Sequence, residues 1–185
     1  MKHWEQLGDA ELVRKMGDGS EDAFVFIYER CSPAVYRFAL HMTMDRQAAE
    51  EISQDTFLTL IRSPRGYEAA KGTLLSWLLG IARNLVKRAA GAAYETDALE
   101  ESTEEIPASF DLADDLARRE TIDAVRQAVD SLPPVYKEVV VLYELQELNY
   151  MEVSGILKCP VGTVRSRLHR ARNILASKLQ ARCFV

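Results

Sequence analysis

Asn149-Tyr150-Met151-Glu152-Val153-Ser154-Gly155-Ile156-Leu157, then Lys158-Cys159-Pro160-Val161-Gly162, then Thr163-Val164-Arg165-Ser166-Arg167-Leu168-His169-Arg170-Ala171-Arg172 is the stretch that decides the fold. Asn149 predicts the cap of a short helix reaching about Lys158. Cys159-Pro160-Val161-Gly162 reads as a turn, and Thr163 as the cap of a long helix to about Arg182. At about 100° per residue, Val164, Leu168, Ala171, Leu175 and Leu179 share one face of that second helix, the expected core face. Arg165, Ser166, His169, Arg170, Arg172 and Asn173 fall mainly on the opposite side. A tight turn between two helices, with hydrogen-bond donors at the start of the second, is what entry into a DNA major groove requires. The helix start also directs backbone N–H groups at a phosphate. A basic helix face that is merely solvated is the competing reading.

The charge around this stretch favours DNA. After Glu152 come Lys158, Arg165, Arg167, Arg170, Arg172, Lys178 and Arg182 with no acid among them. The chain as a whole carries −5, but that sum hides three zones. Residues 1 to 92 hold 12 basic and 12 acidic side chains, residues 93 to 117 hold 9 acidic and none basic, and residues 118 to 185 hold 11 basic and 7 acidic. The basic end is a phosphate-binding surface in an otherwise acidic molecule. The acidic middle contains Pro107 and no amphipathic period, so a mobile linker extended by like charge is expected there.

Helical periodicity extends to the rest of the chain, and strand alternation is absent. Helices are expected near 9 to 17, from Ser20 to about 31, and from Ser32-Pro33 to about 43, with the proline in the first turn. Further helices are expected from Asp45 to about Arg62, from Thr73 to Ala90, from about Leu116 to Ser131 and from Pro134 to about 147. The fold class is therefore all-α, as two small helical domains, 1–92 and 118–185, joined by the acidic linker 93–117.

The 185 residues are 48% apolar, enough for a core and against disorder throughout. The longest nearly apolar run, Thr73 to Ala82, is about half the length a bilayer needs, so no membrane insertion is expected. No apolar targeting segment follows Met1, and Cys31, Cys159 and Cys183 form no framework, so a reducing cytoplasm is expected. No phosphate-binding glycine loop or His/Cys cluster is present, so no catalytic residue, metal or cofactor is expected. The pairs Glu50-Glu51, Glu100-Glu101 and Glu104-Glu105 are sequence neighbours, which do not face each other on a helix, and read as solvated charge.

The stretch quoted above, with Leu132-Pro133-Pro134-Val135-Tyr136 before it, resembles region 4 of the extracytoplasmic-function sigma factors of bacterial RNA polymerase. Asp22-Ala23-Phe24, Val35-Tyr36-Arg37-Phe38-Ala39, Ala48-Ala49-Glu50-Glu51-Ile52-Ser53-Gln54-Asp55-Thr56-Phe57 and Trp77-Leu78-Leu79-Gly80-Ile81-Ala82-Arg83-Asn84 resemble region 2 in the same order. For region 4 the resemblance implies readout of the promoter −35 element: Arg165, Ser166 and His169 toward base edges, with Arg167, Arg170, Lys158 and Thr163 around them. His169 also has a plain reading as a solvated imidazole. For region 2 it implies capture of a flipped −10 base by Tyr67 and Asn84, with Lys71, Arg83, Lys87 and Arg88 nearby. Trp77 lies among Leu74, Leu75, Leu78 and Ile81 and reads as core.

On the helix around 48 to 61, Ala49, Ile52, Thr56 and Leu60 share one face, while Glu50, Glu51, Gln54, Asp55 and Leu58 share the other. A solvated acidic face is one reading. The resemblance implies docking on the clamp helices of the polymerase largest subunit, with the flap region meeting the second domain. It also implies promoter DNA and an anti-sigma factor as partners. A stand-alone helix-turn-helix regulator with a ligand-sensing first half is the alternative; it would bind its operator without polymerase.

Overall fold

The computed structural model describes residues 4–91 and 124–183; the expected linker 93–117 and the helix start near Leu116 lie outside them. The described residues contain helices and no strand. A first lobe is built from α1 (Asp9–Gly17), α2 (Glu21–Thr43), α3 (Arg46–Arg62) and α4 (Leu74–Ala90). A second lobe holds a helical segment at 124–130, α5 (Pro134–Val140), α6 (Tyr150–Leu157) and α7 (Val161–Cys183).

Side-chain caps start several of these helices. The Ser20 hydroxyl accepts from the Ala23 N–H at 3.3 Å, and Asp45 accepts from Gln47 and Ala48 at 2.8 and 3.3 Å. Thr73 accepts from Ser76 at 3.2 Å. Asn149 accepts from Met151 and Glu152 at 2.9 and 3.1 Å while Glu152 reaches back to the Asn149 N–H at 3.0 Å, a closed capping box. The core of the first lobe includes Leu12, Ile27, Phe38, Leu60, Leu74, Leu78 and Leu79, none of which keeps any solvent exposure. Side chains of this size contribute about 1.5–3 kcal/mol each on full burial.

Three local expectations are corrected. The break expected at Ser32-Pro33 does not occur, and α2 runs through Pro33 without interruption. Pro33 costs the helix about 3 kcal/mol. The buried series Ala23, Ile27, Cys31, Ala34 and Phe38 keeps helical spacing across it, and packing of that face outweighs the penalty. The helix expected from Pro134 to about 147 changes winding at Val141, and Val141–Leu145 form a π-turn closed by the Gln146 N–H on the Val141 carbonyl at 3.0 Å. It keeps Val141 and Leu142 buried. Thr163 is not a cap: α7 already begins at Val161, with the Thr163 and Val164 N–H groups donating to the Pro160 carbonyl at 2.9 and 3.2 Å. Thr163 stands in the first turn.

Asp9 ties the first lobe together. Its carboxylate accepts from the backbone N–H of Leu74 at 2.7 Å and from Arg30 at 2.6 Å, joining the starts of α1 and α4 to α2. Both are charge-assisted bonds. Asp9→Ala should lower stability by about 2 kcal/mol in urea unfolding, and Asp9→Asn, which keeps an acceptor, should lose less. Equal losses would show that the carboxylate charge and not the hydrogen bond matters.

Candidate nucleic-acid interface

α6, the turn Lys158–Pro160 and α7 form the helix-turn-helix. Val153, Ile156 and Leu157 of α6 are buried with Val164, Leu168 and Ala171 of α7, and Val139, Val140 and Leu142 complete the packing. This leaves Arg165, Ser166 and His169 exposed on one side of α7, with Thr163, Arg167 and Arg170 half-buried beside them. The turn depends on Lys158, which takes the left-handed conformation (φ 53°) and ends α6 with its N–H on the Ser154 carbonyl. Its side chain is exposed. The Ser154 hydroxyl donates to the Cys159 carbonyl at 2.6 Å, which fixes the other side of the turn.

Two residues that the sequence reading does not single out support this surface. The ring of Tyr150 lies beneath the Arg165 guanidinium, 5.2 Å from its centroid, and stacks on Tyr143 at 4.6 Å and 18°. Glu144, on the π-turn, binds Arg172 at 2.7 and 3.1 Å. The signal for both lies in winding: an ordinary helix through residue 147 would not present Tyr143 and Glu144 as the π-turn does.

In the first lobe, Tyr67, Lys71 and Asn84 line one cavity of about 460 Å³, together with Trp77. The Tyr67 hydroxyl donates to the Gly72 carbonyl at 3.1 Å, and its ring lies 6.0 Å from that of Trp77. Burial pushes the Tyr67 phenol up, and the nearby Asp9 charge adds to the effect. Trp77 is half-buried, packed against the core on one side and facing this cavity on the other. Lys71 pairs with Glu68 at 2.7 Å. Lys87 and Arg88 do not line the cavity; Lys87 is half-buried and Arg88 exposed.

Arg83 stands apart from that set. Its guanidinium is buried and binds Glu138 of the second lobe through two bonds, 2.8 and 3.2 Å long, while a third N–H points at the Ile156 carbonyl at 3.5 Å. Burial lifts the Glu138 carboxyl above the usual carboxylate range, against the pull of Arg83. α4 packs on α6 around this pair. Thr73 donates to Glu152 at 2.9 Å, Gln146 to the Ala34 carbonyl at 3.3 Å, and His41 lies 3.1 Å from Asp130. As a result Met151, Gly155 and Lys158 form the far wall of the cavity that Tyr67 and Asn84 line. Of the second lobe's candidate DNA contacts, Lys158 lines this cavity, and Arg165, Ser166 and His169 do not.

On α3, Glu50, Glu51, Gln54 and Asp55 are exposed and Leu58 is half-buried. Glu50, Gln54 and Leu58 border an open groove of about 580 Å³ between α2 and α3, and Glu51 and Asp55 do not line it. Its apolar floor includes Phe57, with Tyr28 edge-on at 4.8 Å, and Ile61. Tyr28 and Ile61 remain 45% and 48% exposed, and the sequence reading omits both. Both lie on the flank of the acidic face.

Residues 27–93 match the model of Sigma-70 region 2, and residues 122–175 that of Sigma-70, region 4. The ECF RNA polymerase sigma factor SigE of Mycolicibacterium smegmatis is 35% identical over 97% of this chain and 75% of its own length. Among solved structures, CnrH in complex with the cytosolic domain of CnrY has the same fold, with a TM-score of 0.69 at 20% identity over 94% of this chain and 97% of that one. The sigma factor RpoE of Bartonella quintana, in complex with the anti-sigma factor NepR, gives 0.62 at 25% identity over 85% and 96%. A ligand-sensing first half is not favoured, because most of that half matches region 2. With both region models met in order and a relative 35% identical over 97% of this chain, the protein belongs to the extracytoplasmic-function sigma factors of bacterial RNA polymerase.

Proposed function

We propose that this sigma factor directs promoter-specific initiation by binding alone, in the cytoplasm, and leaves all catalysis to the polymerase. The observation that carries the reading is the exposed start of α7. Arg165, Ser166 and His169 stand out over buried Val164, Leu168 and Ala171, so base-reading donors project from a helix held rigid by its packing. Arg167, Arg170 and Lys158 supply phosphate contacts around them, and Thr163 lies at the helix start where backbone N–H groups face a phosphate.

In the first lobe a base that has left the duplex stacks on Tyr67, Asn84 reads its edge, and Lys71, Lys87 and Arg88 hold the backbone. Arg83 joins them only after leaving Glu138. Capture offsets a few kcal/mol of unstacking per base. The acidic rim of Glu50, Glu51, Gln54 and Asp55, with Leu58, suits the clamp helices of the polymerase largest subunit; the second lobe meets the flap. The structure of RpoE with NepR supports an anti-sigma partner here too.

The closed arrangement has a geometric limit. Lys158 and Asn84 line one cavity, whereas elements centred about 25 base pairs apart are about 85 Å apart on B-form DNA. The lobes therefore part when a promoter is read. Residues 92–123 reach about 110 Å at most when extended, which is long enough.

With purified core polymerase the chain should bind promoter DNA and initiate; alone it should bind weakly in gel shifts. Tight binding unchanged by core would point to a stand-alone regulator. Lys158→Gly should lower DNA affinity and reduce the salt slope by about 1. Its melting temperature should hold or rise, because glycine suits the left-handed turn. A fall in melting temperature would assign Lys158 to folding instead. Glu138→Gln should lower resonance energy transfer between probes on the two lobes while leaving each lobe folded by circular dichroism. Unchanged transfer would mean that the pair does not hold the lobes together.

A further inference from the structure

Arginine is a costly reader of bases unless something holds it. Its side chain carries about 2 kcal/mol of rotamer entropy, and Arg165 is exposed at the start of α7, with no carboxylate paired to it among the described residues. What lies next to it is an aromatic stack. Tyr150 is the first residue of α6, its backbone set by the Asn149–Glu152 capping box. Its ring lies 5.2 Å from the Arg165 guanidinium and stacks on Tyr143 at 4.6 Å. Tyr143 comes from the π-turn, whose next residue, Glu144, holds Arg172 one helical stretch further along α7. Two arginines of α7 are thus steadied, Arg165 by a ring of α6 that stacks on the π-turn and Arg172 by a carboxylate of the π-turn.

The difference between the two supports matters. A carboxylate occupies the in-plane N–H groups of the guanidinium it binds, so Arg172 has donors already engaged. A ring supports a guanidinium through its face and leaves the in-plane donors free. Those are the donors that form a two-point contact with guanine O6 and N7 in the major groove. We propose that Tyr150 is a specificity-determining positioning residue, which presents Arg165 to one base pair of the upstream promoter element without touching that base itself. This rests on the reading that α7 enters the major groove.

The test uses the full chain with core polymerase and a set of promoters that differ by single base pairs in the upstream element. The readout is the preference ratio between promoters, which does not depend on the fraction of active protein. Arg165→Ala should flatten the preference at one base pair. Tyr150→Leu should weaken the preference at that same base pair about three- to fivefold, leave other positions and the downstream element unaffected, and add nothing in the Arg165→Ala background. Tyr150→Phe should behave as wild type, because it keeps the ring. If Arg165→Ala changes no preference, the reading of α7 as the DNA-entering helix fails. If Arg165→Ala flattens it but Tyr150→Leu does not, the positioning role alone is overturned. It is also overturned if Tyr150→Leu costs the same factor without Arg165, or if Tyr150→Phe is as harmful as Tyr150→Leu, since the phenol, which also hydrogen-bonds Tyr143, and not the ring face would then be what matters.

Discussion

The guanidinium of Arg83 meets the carboxylate of Glu138 with 9% of the arginine and 1% of the glutamate exposed. On this contact the arrangement of the two lobes depends. A buried ion pair adds little net stability, because desolvation offsets most of the attraction, but losing one partner strands the other charge at a cost of about 3–5 kcal/mol. Such a pair therefore sets geometry more than strength. Here it selects one placement of α5 against α4, and with it the facing of Lys158 and Asn84 across a shared cavity. Because the orphaned group can regain water if the lobes separate, its penalty is capped by the free energy of closing them. Other links across the interface are the hydrogen bonds Thr73–Glu152 and Gln146–Ala34, the His41–Asp130 pair, and apolar packing of α4 on α6.

Much of the fold is legible in the sequence because its cause is local. The series Ala49, Ile52, Thr56 and Leu60 is buried on α3 as its spacing implies, and Val164, Leu168 and Ala171 are buried on α7. Caps at Ser20, Asp45, Thr73 and Asn149 are written in single residues. Pro33 misleads because a local rule meets a long-range packing gain. The π-turn is hidden for a related reason: Val141–Leu145 has an ordinary helical composition, and only tertiary packing reveals the change of winding.

The candidate site divides the same way. The exposed donors of α7 follow from periodicity, whereas Arg83 does not. In sequence it looks like a DNA-facing cation beside Asn84; in space it is occupied by a residue 55 positions away, a pairing no local pattern encodes. Tyr28 and Ile61 escape notice for the opposite reason, since each seems an ordinary core residue until the groove between α2 and α3 leaves it nearly half-exposed.

The hydroxyl of Thr73 accepts from the start of its own helix at Ser76 and donates to Glu152. Glu152 in turn closes the capping box of α6 with its other oxygen. Each terminus is thus secured from within its own lobe, and the bridge between them is an added link that neither needs. Rupture of this bridge leaves the caps at Thr73 and Asn149 in place. Parting of the lobes, as proposed above, therefore requires neither of these two helix starts to unwind first.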